Sequence, residues 1–244
     1  MVSIDSGRFS KRHKSSHPPP LSRTVPINDS QMVLPICRFK EDIVQCVRRH
    51  QTTIVVGDTG TGKSTQIPQF LIDEYARDGK CIAITQPRRV AAITIAQKVA
   101  NEQGGIVGDV VGYSIRFEDK SSHRTRIKFV TDGVLLRECM SDRLLSRYSV
   151  VILDEAHERS LQTDILMGLL KDIQPVRPDL RIIIMSATIE TELFARFFHD
   201  SRVMQVPGRQ FPVHTFYTRE PEADFIEAAM LTCLQVSLLN CIDR

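Results

Sequence analysis

Residues 57–65 read Gly57-Asp58-Thr59-Gly60-Thr61-Gly62-Lys63-Ser64-Thr65, and this stretch fits the pattern G-x-x-x-x-G-K-[ST]. The apolar run Thr53–Val56 precedes it and a helix-period stretch follows, so the glycines sit in a strand-to-helix turn. Glycine lets such a loop wrap until successive backbone N–H groups point inward, and the new helix adds the positive end of its dipole. A loop of this kind cradles phosphate: Lys63 is placed to reach the β- and γ-phosphates of a nucleotide, and the Ser64 hydroxyl to ligate Mg²⁺. A glycine turn with a surface lysine is the plain alternative. Pro68 falls inside the expected helix and should kink it or restrict its start.

Outward from the loop, short β-branched runs alternate with helical periods, the form of βαβ units around a parallel sheet. The strand candidates are Thr53–Val56, Cys81–Thr85, Ile127–Thr131, Ser149–Leu153 and Arg181–Met185. Ala92, Ile95, Ala96 and Val99 form one helical stripe, and Leu161, Ile165, Leu166, Leu169, Leu170 and Ile173 another, both read as core. This gives an α/β domain, mainly a parallel sheet flanked by helices. The fourth strand runs into Asp154-Glu155-Ala156-His157, and the end of a buried parallel strand is where open α/β sheets place ligands. Asp154 is expected to hold Mg²⁺, and Glu155 to share that metal site while activating the water that attacks the γ-phosphate. Acidic residues also favour helix starts, which is the alternative reading of the pair. His157 is expected to bond to Ser186 or Thr188 at the end of the next strand and to relay the nucleotide state.

Taken together, GDTGTGKST, TQPRRVAA at 85–92, TDG at 131–133, DEAH at 154–157 and SAT at 186–188 resemble, in order and spacing, motifs I, Ia, Ib, II and III of the DEAH-box RNA helicases. The likeness covers about residues 34–239. It implies a RecA-like P-loop NTPase lobe, ATP and Mg²⁺ as cofactors, and single-stranded RNA held through its backbone. The resemblance assigns RNA contacts to Arg88, Arg89, Thr131 and Asp132, and to Arg116-Phe117 in a turn near the sheet. It assigns coupling of hydrolysis to lobe movement to Ser186 and Thr188. Lys98 stands where many relatives carry an arginine stacked on adenine, a substitution that weakens a planar contact. Asp58, Thr61 and Ser64 also replace commoner family residues, each conservatively. The phrases TRIKFVTDGVLLRE, YSVVILDEAHER and FYTREPEADFIEAA look most like the DEAH-box helicase 33 group, associated with the nucleolus.

Composition limits the rest. The chain has 244 residues, 42% of them hydrophobic, enough for one lobe and tails but short for two lobes. Residues 1–30 are Ser-, Pro- and Arg/Lys-rich, carry all of the +3 formal net charge, and are expected to be a disordered basic tail. Lys11-Arg12-His13-Lys14 reads either as a nuclear import signal or as a merely solvated basic run. The remaining residues are formally neutral, so nucleic-acid affinity must come from a local patch. Six dispersed cysteines without a C-x-x-C pair suit a reducing compartment, nucleus or cytoplasm, and no apolar run is long enough for a membrane span. Residues 31–202 are expected to be the RecA-like ATP-binding domain, and 203–244 a linker and the start of a truncated second RecA-like domain.

The family's later motifs, including the one that brings an arginine finger worth roughly 10³–10⁵ in rate, do not occur in the sequence. The 244 residues alone are therefore expected to bind Mg-ATP weakly and turn it over barely, with the second lobe and a protein activator as partners of the working enzyme. A nucleotide- or RNA-binding module without turnover, such as a short isoform, is the alternative. A P-loop kinase or GTPase is disfavoured, because neither an acceptor-site pattern nor a guanine-reading N-K-x-D stretch occurs.

Overall fold

The computed structural model describes residues 34–187, 191–198, 201–208 and 223–242. The tail over residues 1–30, the extended segment expected over Phe211–Tyr217, and Thr188 lie outside the described residues. Two units are distinguished, residues 1–207 and 208–244.

The first unit is built on an eight-stranded sheet in the order β4-β3-β5-β2-β6-β7-β1-β8. Its strands are β1 (Thr52–Gly57), β2 (Cys81–Gln86), β3 (Val111–Ile115), β4 (Glu118–Lys120), β5 (Ile127–Thr131), β6 (Tyr148–Leu153), β7 (Arg181–Ser186) and β8 (Ser201–Val206). Every pairing is parallel except that of β3 with β4. The five strands expected from sequence are present, each within one residue of its expected ends.

Successive residues of a strand point to opposite faces, and both faces of this sheet are buried, which is why its central strands read as continuous apolar runs. Val55, Ile82, Ile84, Val150, Ile152, Ile183 and Met185 meet helices α1 (Lys40–Arg49), α2 (Lys63–Tyr75) and α3 (Arg89–Glu102). Ile54, Val56, Ala83, Val151, Leu153, Ile182 and Ile184 meet α4 (Asp132–Ser141), α5 (Leu161–Ile173) and α6 (Thr191–Phe197) on the other face. The stripe of α3 buries Ala92, Ala96 and Val99 as expected, whereas that of α5 is turned: Leu161 and Ile165 are exposed, while Thr163, Leu166, Met167, Leu170 and Ile173 are buried. Pro68 lies inside α2, which continues through it; only the N–H that would have bonded the Ser64 carbonyl is missing.

Two features depart from the expected organisation. Arg116 and Phe117 form a two-residue turn between β3 and the short, charged edge strand β4, giving a hairpin that sequence reading placed only as a turn near the sheet. The boundary expected at 202 is also displaced: β8 pairs in parallel with β1 from Ser201 to Val206, so the first unit runs to Pro207. The physical reason is that the outer edge of β1 carries unpaired backbone groups, and β8 satisfies them. In the second unit, α7 (Phe225–Ile242) spans nearly the helix expected over residues 223–239, with Oδ1 of Asp224 accepting from the N–H groups of Ile226 and Glu227 at 3.1 Å each. Phe225, Ile226, Met230, Leu231, Leu234, Val236 and Leu238 of this helix are exposed. Among the described residues no helix is long and apolar enough to cross a membrane.

Candidate nucleotide site

The phosphate loop joins β1 to α2, and its conformation explains its glycines. Gly60 and Gly62 have φ of 81° and 97°, in the left-handed region. A Cβ on Gly62 would also lie 2.9 Å from Cδ1 of Leu34, and one on Gly57 would lie 2.8 Å from the Val206 carbonyl oxygen. Gly57 is thus needed for the close approach of β8, a requirement that the motif alone does not reveal. A 3-10 turn, Pro35–Phe39, supports the loop from beneath: Ile36 N–H donates to the Thr61 carbonyl at 3.2 Å. Thr61 in turn bonds to the Asp58 carbonyl through its hydroxyl at 2.8 Å. Asp58, Thr59 and Gly60 form the exposed crest, and Thr65 Oγ1 donates to the Gly62 carbonyl at 3.2 Å.

Lys63 is buried, and its ammonium donates to the carbonyls of Gly57 and, at 2.9 Å, Asp58. Burial pulls its pKa below the ordinary lysine value, opposed by the negative charges of Asp154, Glu155 and Asp58. The N-cap of α2, Gly62, supplies no side-chain bond to the first turn. That leaves the helix's leading N–H donors without the partner a cap residue would give, an arrangement suited to an anion.

Asp154 directly follows β6, and β7 lies between β6 and β1. Even so, the Ser64 hydroxyl stands near enough to the Asp154 carboxylate to favour its charged form, which brings loop and acid together. Asp154 Oδ2 accepts from Gln86 Nε2 at 2.6 Å, and Oδ1 from the Glu155 N–H at 2.9 Å. Burial drives the Asp154 pKa up to about 6, against Ser64 and Gln86, with Glu155 adding to the rise. A hydroxyl from the first turn of α2 and a buried carboxylate just past the end of β6 form a hard oxygen set that fits Mg²⁺. Glu155 is half-buried with φ of 51°, an uncommon conformation for a side chain of its size.

His157 Nδ1 accepts the backbone N–H of Ala187 at 3.3 Å. A backbone amide of the 186–188 segment thus contacts His157; of the two hydroxyls expected as its partners, that of Thr188 lies outside the described residues. Glu155 Oε2 is 3.6 Å from the same Nδ1. Ser186 is buried at the end of β7, between the strands that carry the loop and the acids. Lys98 is exposed on α3; one turn further, Glu102 accepts from Gln66 and Gln69 of α2 at 2.8 and 2.7 Å.

The residues expected to touch RNA separate into two kinds. Arg88 and Arg89 are exposed at the start of α3; Arg88 lies 3.3 Å from Glu158, and Arg89 donates to the Arg116 carbonyl at 3.5 Å. The Arg116 guanidinium stands 4.7 Å from the centroid of the Phe117 ring. Phe117 is 89% exposed at the hairpin tip and has φ of 69°. Thr131 is half-buried as the N-cap of α4. Asp132, by contrast, is buried, and its Oδ2 accepts from Thr163 at 2.8 Å and Ser160 at 3.3 Å. Its Oδ2 ties the start of α4 to the start of α5, while Oδ1 is buried without a partner among the described residues.

Neither Gln86 nor the turn at Pro35–Phe39 is singled out by the sequence. Gln86 sits inside the TQPRRVAA run, and its place at a strand end is the one signal that points to it.

Comparison with known proteins agrees with this geometry. The DEAD/DEAH box helicase family matches residues 37–195. The pre-mRNA-splicing factor ATP-dependent RNA helicase prp22 of Schizosaccharomyces pombe is 48% identical over 216 residues, covering 88% of this chain. The chain spans 18% of that relative's length, and the match gives no support to a place in the helicase 33 group. With its phosphate loop, its DEAH strand end and a matched span running from the 3-10 turn at Pro35–Phe39 into α6, the chain belongs to the DEAD/DEAH box helicase family.

Proposed function

We propose that this chain is the ATP- and magnesium-binding lobe of an ATP-dependent RNA helicase. The observation that carries the reading is the meeting of Ser64 with Asp154, at the foot of a helix whose first turn lacks a side-chain cap. Lys63 and the α2 amides take the β- and γ-phosphates; Ser64 and Asp154 hold the metal, with Glu155 beside it. Magnesium held there would supply positive charge to offset that of the phosphates. Glu155 orients the attacking water and receives its proton, and His157 passes the change to Ala187 and so to the Ser186–Thr188 segment. A second RecA-like lobe completes the site across the nucleotide, and residues 208–244 lead into it.

Arg88, Arg89, Arg116 and Phe117 form the RNA surface, with Thr131 adding a contact at the end of β5. The Arg88–Glu158 pair is exposed and so weakly held, and an RNA phosphate can replace Glu158. Phe117 offers a ring face for a base. The pre-mRNA-splicing role of the Schizosaccharomyces pombe relative favours a nuclear setting.

The reading is tested by titrating single-stranded RNA against the Arg88→Ala/Arg89→Ala variant over a range of salt. Affinity is expected to fall by roughly tenfold or more, and the slope of log affinity on log salt by about 1.4, or ~0.7 for each phosphate that an arginine no longer neutralises. An unchanged slope would remove both arginines from the interface.

A pH dependence follows from Asp154. Its folded pKa, about 6, lies above the ordinary value of 3.8, so the ionised form becomes dominant only above pH 6. Metal binding needs that ionised form. Magnesium's enhancement of ADP affinity is therefore expected to weaken about tenfold per pH unit below 6 and to level off above it. Fluorescent ADP titrations with and without magnesium between pH 5 and 8 measure this; enhancement that stays flat to pH 5 contradicts the burial argument.

A further inference from the structure

Gln86 is the last residue of β2 and is 2% exposed. Its amide reaches across to the end of the neighbouring strand β6, where it donates 2.6 Å to Asp154 Oδ2. The other oxygen, Oδ1, is held by the Glu155 N–H at 2.9 Å. With each oxygen engaged from a different side, the carboxylate plane is fixed. Two residues beyond Gln86, Arg88 stands 3.3 Å from Glu158, so the end of β2 grips the 154–158 segment at both of its ends.

We propose that Gln86 is a positioning residue: its buried amide sets the carboxylate of Asp154 for magnesium and joins the metal site to the turn that carries Arg88 and Arg89. The inference rests on the nucleotide-lobe reading above. Magnesium demands near-ideal octahedral geometry, so a ligand or water-holding carboxylate free to rotate binds it less well. Glutamine has the chemistry this place requires. A lysine or arginine would neutralise Asp154 and compete with the metal, a glutamate would repel it, and an apolar side chain would leave Oδ2 short of a donor.

The test uses the full 244-residue chain and reads the ratio of fluorescent ADP affinity with magnesium to that in EDTA. Gln86→Met, which keeps length and loses the donor, is expected to lower that ratio roughly 10-fold or more while the EDTA affinity stays within about twofold. A residue that merely supported the fold would lower both affinities together. Gln86→Asn, which keeps an amide but lacks the reach, should show the same selective loss and serves if the methionine variant does not fold. In an Asp154→Asn background, Gln86→Met should produce no further change. An unaltered ratio in a folded Gln86 variant overturns the positioning role alone. Absence of ADP binding in the unaltered chain, or equal binding by Lys63→Ala, overturns the lobe reading and the inference with it.

Discussion

Lys63→Ala is expected to lower the affinity of this chain for Mg-ADP or Mg-ATP by roughly 100-fold, equivalent to about 2.8 kcal/mol. The ammonium is buried on the loop, its hydrogens pointing to the Gly57 and Asp58 carbonyls, with the charges of Asp154, Glu155 and Asp58 around it. Phosphate oxygens arriving on the loop are better partners than those carbonyls, because a charge-assisted bond is worth roughly twice a neutral one. Without Lys63, a polyphosphate would face those carboxylates with only the backbone amides and its metal ion to offset them. The fold should survive, since a lysine held down by burial is not a large source of stability. Fluorescent nucleotide titration beside a thermal melt separates the two effects. Binding equal to the unaltered chain would mean that the loop does not hold phosphate.

In the two-lobed enzyme proposed above, Glu155→Gln is expected to cut RNA-stimulated ATP turnover by roughly 10²–10⁴-fold while leaving nucleotide affinity within a few-fold. Glutamine preserves the size and hydrogen-bonding shape of the side chain but cannot accept the proton of an attacking water. The backbone supports the assignment: Glu155 holds φ of 51° between a buried strand and a short 3-10 turn, Ala156–Glu158. A left-handed backbone at a non-glycine residue costs on the order of 1–2 kcal/mol and persists where the surroundings enforce it. Here the enforced turn aims the acid out of the sheet beside Asp154 instead of letting it start a regular helix. Single-turnover hydrolysis gives the rate, and a parallel titration the affinity. Loss of both in step would assign Glu155 to binding.

Much of this arrangement can be read in the residues themselves, since strand identity and site chemistry are local. A parallel strand buried on both faces must be apolar without interruption, so Val150–Leu153 and Ile182–Met185 declare themselves. The loop likewise shows in its glycines, because no other residue takes φ of 81° and 97° at Gly60 and Gly62 without strain. Strands with mixed patterns are harder to see. In β3, glycine and serine interrupt the apolar residues, and β4 is Glu-Asp-Lys, charged because it lies at the sheet edge. Strand β8 reads as an exit from the lobe, since only the open edge of β1 gives it a partner.

Charged residues show the same division. Lys128 lies in a short strand of five residues and gives no outward sign of burial, yet it is 2% exposed between Asp119 at 3.3 Å and Glu138 at 3.1 Å. Asp132, itself an expected RNA contact, turns its carboxylate inward to the α5 cap.

The sequence by itself determined the α/β class, the phosphate loop, the acidic strand end and the family, because each depends on residue type and spacing within one strand and its turn. The tertiary structure alone decided that β7 separates the two halves of the site, that Gln86 holds Asp154, and that Ala187 contacts His157 through its backbone. Those facts depend on strand order and on pairs dozens of residues apart. Apolar patterning specifies that a strand is buried, but not which neighbour it is buried beside.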